Sequence, residues 1–323
     1  MKKTLLFLCL SLVLSSCGWF SAKPEIATVL SEHFDNKLYN KFDTLSYHPI
    51  FSKKLDELSS SLSNPKTTKA FYKSNKNNPI LITRFFANGE IDSLLRYLQI
   101  TKDHGVNPNT FKINELEALV EKLKANEFKS IEEVYPIIAE LEIKTADALL
   151  RYTTFMKYGL VNPRNIFNRY YIKVERPDSI LLDSILNTKN MVGVIKDAQP
   201  TSKSYLDLKE MLAYYRDSLS NDNDLSIQKI KLNLERLRWR IPVKTDEVVM
   251  VNIPDFSLTW FKKNDTLAHM NVCVGGKREA TYAERMKTYL KTGNLDDKPK
   301  NHETPQLVSV FNAIQVNPVW NIP

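Results

Sequence analysis

The chain has 323 residues, 43% apolar and 25% charged, an ordinary globular balance with enough material for about two domains. Its eight glycines, roughly 2.5% against a usual ~7%, argue against loop-rich, all-β or glycine-loop nucleotide-binding architectures and suit a helical body. The 45 basic and 37 acidic residues leave +8 spread along the chain, which fits an anionic surface nearby but is too diffuse for nucleic acid, and no run reaches the ~18 apolar residues of a membrane span.

Lys2 and Lys3 form a basic leader, and an apolar run starts at Leu5 and continues to about Leu14. That is signal-peptide length, too short for a permanent membrane helix. Leu14-Ser15-Ser16-Cys17-Gly18 then resembles the bacterial lipobox, in which a small residue precedes a cysteine that is acylated and becomes the mature N-terminus. Cys17 is therefore the candidate lipidation residue, the alternative being an ordinary cleaved signal with an incidental cysteine. Processing there lowers the net charge to +6 and implies a bacterial envelope protein, lipid-anchored in the membrane and facing the periplasm. With Cys9 removed and Cys17 acylated, only Cys273 remains, so no intrachain disulfide is expected. The five histidines are scattered, with no Cys-x-x-Cys and no His-Glu-x-x-His, so no metal is expected.

Residues 18 to about 80 carry few firm signals, with short helices plausible over Ile26–Leu45 and Phe51–Leu62. Ile91, Leu94, Leu95 and Leu98 then share a helical face, and Gly105 is a stop. Asn114 with Glu117 reads as a capping box opening a helix through Leu116, Leu119, Val120 and Leu123. A longer helix is predicted from near Ala139 to Tyr158, closed by Gly159. Leu208, Leu212, Tyr215 and Leu219 form one further stripe, and Ile227, Ile230, Leu234 and Leu237 another. The texture changes after Pro242. Val248–Val251, Phe256–Phe261 and Leu267–Val274 read as strands, with a hairpin turn at Lys263-Asn264-Asp265. Alternation makes the third a half-buried strand, with Met270, Val272 and Val274 on one face and Leu267, His269, Asn271 and Cys273 on the other. Val308, Val310, Ile314 and Val316 mark another strand, and the charged stretch Arg278–Lys300 between them is a lid, a helix-containing insertion or a mobile loop.

Two catalytic arrangements fail on physical grounds. Cys273 and His269 lie four residues apart in a predicted strand, roughly 13 Å, where a thiol and its base must approach to ~3 Å. Ser63-x-x-Lys66 and Ser226-x-x-Lys229, with Lys291-Thr292-Gly293 downstream, match a serine–lysine acylase pattern, but no Ser-Asp-Asn lies between them. No phosphate-binding glycine loop and no Gly-x-Ser-x-Gly elbow occurs.

The stretch Asn233-Leu234-Glu235-Arg236-Leu237-Arg238-Trp239 resembles the Asn-x-Glu-Arg-x-Arg-Trp linker of the large murein L,D-transpeptidases that carry an N-terminal scaffold domain. Val251-Asn252-Ile253-Pro254-Asp255-Phe256, Val274-Gly275, Thr304-Pro305 and Asn317-Pro318-Val319-Trp320-Asn321-Ile322-Pro323 resemble successive signatures of the same family's catalytic domain. Lys102–Pro108 and Tyr158–Pro163 resemble the scaffold's two Gly-hydrophobic-x-Pro turns. The resemblance covers about residues 80–323 and implies acyl transfer on peptidoglycan. In that chemistry a cysteine thiolate attacks the carbonyl of the third stem-peptide residue and expels the terminal D-alanine, and a neighbouring stem's side-chain amine takes the thioester.

On this resemblance the fold is α+β. Residues 1–17 are a lipoprotein signal and lipobox, 25–242 a helical scaffold domain, and 246–323 the leading part of a mainly-β catalytic domain. The family's nucleophile stands in a Ser-His-Gly-Cys motif that these residues do not contain, so no catalytic residue is assigned, and the chain is expected to be truncated inside its catalytic domain and inactive alone. Asn317 and Trp320 are substrate-cleft candidates, peptidoglycan stem peptides the expected partner, and no cofactor is implied. The rival expectation is a non-catalytic envelope lipoprotein whose helical domain binds murein or a wall-synthesis partner.

Overall fold

A computed structural model describes residues 23–167, 169–219, 222–241, 245–263, 265–313 and 315–317. It is of the α+β class: helices dominate, and a small antiparallel sheet follows them. Two compact units emerge, one made of the chain up to Gly159 with Pro177–Arg238, the other of Leu160–Arg176 with the chain from Trp239 onward. The segment Leu160–Arg176, inside the range expected to be helical scaffold, thus belongs with the strand-bearing unit.

The helical unit contains α1 (Glu25–Phe34), α2 (Thr44–Leu58), α3 (Pro65–Ser74), α4 (Ile80–Phe85), α5 (Glu90–Gln99), α6 (Ile113–Ala125), α7 (Ile131–Tyr158), α8 (Ser179–Leu186), α9 (Met191–Asp197), α10 (Lys203–Leu219) and α11 (Leu225–Arg238). Its centre is α7, 28 residues long and buried nearly all round between Ile138 and Met156, so it acts as the post on which α2, α4, α6 and α8 pack. The helix starts two turns before Ala139, because Pro136 lies early in it, where one lost backbone bond does not break the run. Glu133 accepts a hydrogen bond from the Lys129 amide at that end, and Gly159, at φ 75°, closes the other.

The short helical pieces expected around Ile26–Leu45 are α1, a 3-10 turn and the start of α2. Asp35 turns left-handed (φ 47°), a short 3-10 turn spans Lys37–Lys41, and the Asp43 carboxylate accepts from the amides of Leu45 and Ser46 to begin α2. The expected capping box at Asn114 and Glu117 is corrected. Lys112, left-handed at φ 55°, closes the 3-10 turn Pro108–Phe111 and opens α6 one residue before Asn114, while Glu117 bonds the Gln99 side chain instead. The stripes of α10 and α11 do pair with each other. Tyr205, Leu212, Ile227, Ile230 and Leu234 form a small second core, with Leu219 and Leu237 left partly exposed.

In the other unit, β1 (Glu247–Asn252), β2 (Ser257–Lys262) and β3 (Asp265–Asn271) make an antiparallel meander in the order β1-β2-β3. Val249 stands opposite Trp260, and Thr259 opposite His269. The third strand is shorter than expected and is not half-buried: Leu267 and Met270, on opposite faces, are each 50% exposed. Val308–Val316 is not a strand among the described residues. Alternation gives a segment the capacity to lie on a sheet, but it needs a paired neighbour, and the nearest pairing is a single parallel bridge between Tyr170 and Gln306. Arg278–Lys300 is a helix-containing insertion, with α12 over Tyr282–Thr292 ended by Gly293 in the left-handed region.

Candidate functional site

Three polar arrangements and one cleft stand out from the packing. Two of the former are buried in the helical unit. Glu142, on α7, lies in the core, where its carboxylate accepts from the amides of Leu81 (2.9 Å) and Ile82 (2.8 Å) and from the Tyr72 hydroxyl (2.9 Å). It thereby caps α4, whose free N-terminal amides would otherwise be buried without partners. Burial pushes its pKa up to about 7, against the downward pull of those same hydrogen bonds.

The second arrangement involves the linker signature. The Arg238 guanidinium lies 4.2 Å over the Phe155 ring and donates to the His104 carbonyl (3.2 Å), the Tyr205 hydroxyl oxygen (2.6 Å) and Glu235 (3.2 Å). Arginine has only donors, so the Tyr205 oxygen accepts from it and the phenolic proton points to His104 Nδ1, 2.8 Å away. His104 is therefore neutral with its proton on Nε2. Burial first, then the nearby charges of Lys209 and Arg238, hold its pKa down at about 3. These contacts give Arg238 a structural role: it ties α11 to α7 and to the turn at Ile100–His104.

The two Gly-hydrophobic-x-Pro turns share one local structure. Gly105 (φ 81°) and Gly159 (φ 75°) end their helices. Asn107 and Asn162 then each accept a backbone bond two residues on (3.0 and 3.1 Å), and Pro108 and Pro163 each open a 3-10 turn.

In the strand-bearing unit, two distant signatures meet. The Gly275 amide donates to the Thr304 hydroxyl at 2.6 Å, and a Cβ added at Gly275 would lie 1.9 Å from the His302 carbonyl oxygen. No larger residue fits that approach. The Arg278–Glu303 ion pair (2.8 Å) and bonds from Arg169 to the Asn301 and Glu303 carbonyls fasten the same stretch. Trp239 packs edge-on against Phe167 and Tyr170.

The cleft has a volume of about 170 Å³ and lies in the helical unit between α7, α8 and α9. Leu181, Ile185 and Val194 form its apolar wall, and Thr154, Lys157 and Asp197 also line it.

Of the residues singled out by sequence, Cys17 and Trp320 lie outside the described residues, and Asn317 is exposed with a left-handed backbone (φ 51°). Cys273 is exposed just after β3, and His269 Nδ1 lies 3.0 Å from Thr259 Oγ1. Ser63 is held through both its amide and its hydroxyl by Asp147 (2.7 Å each), which also pairs with Arg151, and Thr292 sits at the last turn of α12. Among the described residues no group of three or more His, Cys, Asp or Glu is arranged to hold a metal, and no helix is long and apolar enough to cross a membrane. The cleft escaped the sequence because its walls are distant in the chain. The one local signal was the pair Thr153-Thr154, polar residues within a largely buried turn of α7.

Residues 66–212 match the family described as the Scaffold domain, which is found in L,D-transpeptidases. No curated protein and no solved structure matches the chain at comparable significance.

Proposed function

We propose that this chain is an envelope lipoprotein of the L,D-transpeptidase type, acting in the cross-linking of peptidoglycan stem peptides. The observation that carries the reading is the Scaffold domain match over residues 66–212, followed in the same chain by the Asn233–Trp239 linker signature and the β1–β3 meander. The two matching glycine–proline turns, and the contact of the Val274-Gly275 and Thr304-Pro305 signatures, are consistent with it.

In this reading the helical unit is a scaffold and the strand-bearing unit supplies leading elements of a catalytic domain. The chemistry is thioester acyl transfer from the third stem residue to a neighbouring side-chain amine, and no described residue is assigned as the nucleophile. Cys17 would carry the lipid anchor. Asn317 and Trp320 are carried over as candidates for the border of the substrate cleft.

Deletion of the gene, with muropeptides digested from the wall and read by mass spectrometry, tests the activity. Loss of cross-links that join a third stem residue to a neighbouring side-chain amine is the expected result. An unchanged cross-link profile, together with co-sedimentation of the chain with purified sacculi, would replace this reading by that of a non-catalytic murein-binding lipoprotein. Membrane retention that survives Cys17→Ala would overturn the anchor.

A further inference from the structure

The cleft between α7, α8 and α9 has features that packing alone does not account for. Its about 170 Å³ far exceeds the ~10–15 Å³ that one water needs, yet falls below the ~300 Å³ of a drug-sized pocket. It is sized for a residue or two of peptide.

Three polar groups stand around the apolar wall. Thr154 Oγ1 is buried and makes no hydrogen bond, whereas the neighbouring Thr153 hydroxyl is satisfied by the carbonyl of Leu149 at 2.7 Å. An unpaired buried hydroxyl costs stability, and of the four such atoms among the described residues, with Tyr47 Oη, Thr145 Oγ1 and Arg238 Nε, only that of Thr154 belongs to a residue lining this cleft. Asp197, exposed, is the last residue of α9, where the negative end of the helix disfavours a carboxylate, and among the described residues it is in no ion pair. Lys157, half-buried in the last turn of α7, is likewise in no ion pair among the described residues. A carboxylate and an ammonium group without ion-pair partners among the described residues thus line the same cleft, together with an unused hydrogen-bonding group and an apolar surface.

We propose that this cleft binds a short zwitterionic peptide with small apolar side chains. Asp197 receives the ammonium group, Lys157 the carboxylate, and Thr154 a peptide carbonyl or amide. Leu181, Ile185 and Val194 take the side chain. Under the function proposed above, an uncross-linked stem peptide carries both charges close together, the free side-chain amine of its third residue and the carboxylate of its terminal alanine, and only the identification of the source rests on that reading.

Isothermal titration of the full chain with dialanine, in the L,L and the D,D form, tests it. Saturable binding in the roughly millimolar range or tighter is expected, about tenfold weaker once the amine is acetylated or the carboxylate amidated. Lys157→Ala should cost the same factor toward the free peptide and nothing toward the amide, and Asp197→Asn should behave likewise toward the acetylated form. Asp197 is exposed and Lys157 half-buried, so these variants should fold as the parent does, and an unchanged thermal melt checks this. Thr154→Val should weaken binding severalfold without lowering stability, because the hydroxyl it removes has no partner to lose. Absence of saturable binding by either dialanine, or affinities indifferent to Lys157 and Asp197, would overturn the proposal. Preference for the D,D form would support a stem-peptide source. Preference for the L,L form would keep the site and overturn its link to peptidoglycan, whatever the muropeptide profile shows.

Discussion

Two buried groups in the helical unit titrate in opposite senses, and their balance shapes the response to pH. Glu142 is raised to about 7 by burial, above the ~4.3 of an exposed glutamate, so the folded state holds a proton that the unfolded state has released. The stability it lends is fully present below about 4.3 and is lost as pH rises to about 7, on the order of 3 kcal/mol over the whole window. His104 is lowered to about 3, so its contribution is present above ~6.5 and is lost as pH falls toward that value. Between these limits the two slopes oppose each other. Glu142→Gln removes one of them, so the urea midpoint of the native chain should fall relative to that of this variant as pH is raised from 5 to 8. An equal difference between the two at both pH values would refute the assignment. Arg238→Lys keeps the charge but loses the fork that reaches the His104 carbonyl, Tyr205 and Glu235 together. It should cost about 2 kcal/mol by chemical denaturation, and a loss within experimental error would show that the fork is dispensable.

At the scale of elements, a sharp test falls on the junction of the strand-bearing unit. A methyl group at Gly275 would sit 1.9 Å from the His302 carbonyl oxygen, and backbone cannot yield as a flexible side chain can. Gly275→Ala should therefore open the contact with residues 302–304, at a cost of about 1–3 kcal/mol. Trypsin should then cut faster at Lys300, while the melt of the helical unit stays unchanged; unaltered cleavage would mean that the junction does not order this stretch. The α10 and α11 stripes were legible because their apolar residues recur every three or four positions and bury against each other. The strand texture after Pro242 was legible in the same way, although alternation could not reveal that β3 has no covering layer. Short α4 was illegible, since what holds it is the Glu142 carboxylate some sixty residues later in the chain. By contrast, α8 and α9 had local signals that could have found them: Asp178 accepts from the Leu181 amide at 2.8 Å and Asn190 from that of Gly193 at 2.7 Å. The cleft needed α7 to be brought against α8 and α9, and no spacing within one segment encodes that. The glycine–proline turns were readable because a left-handed glycine, an asparagine cap and a proline at the first helical position are each local.

Over the whole molecule, burial is unevenly divided, and the division sets where the chain opens. The helical unit buries α7 on nearly all sides, whereas the strands of the other unit leave Met250, Trp260, Leu267 and Met270 between 39% and 50% exposed. Local opening free energies follow the apolar surface that must be exposed, so the two units should not open as one. Amides along Ile138–Met156 should then exchange with deuterium only through the global unfolding of their unit. Amides of Glu247–Asn252 and Asp265–Asn271 should exchange orders of magnitude faster, because each of these strands is hydrogen-bonded on one side only. Hydrogen exchange read by mass spectrometry on peptides from each segment separates the cases. Equal protection in the sheet and in α7 would mean that the strand-bearing unit is stabilised in solution by contacts beyond those described, and that the exposed apolar residues of the meander are covered there.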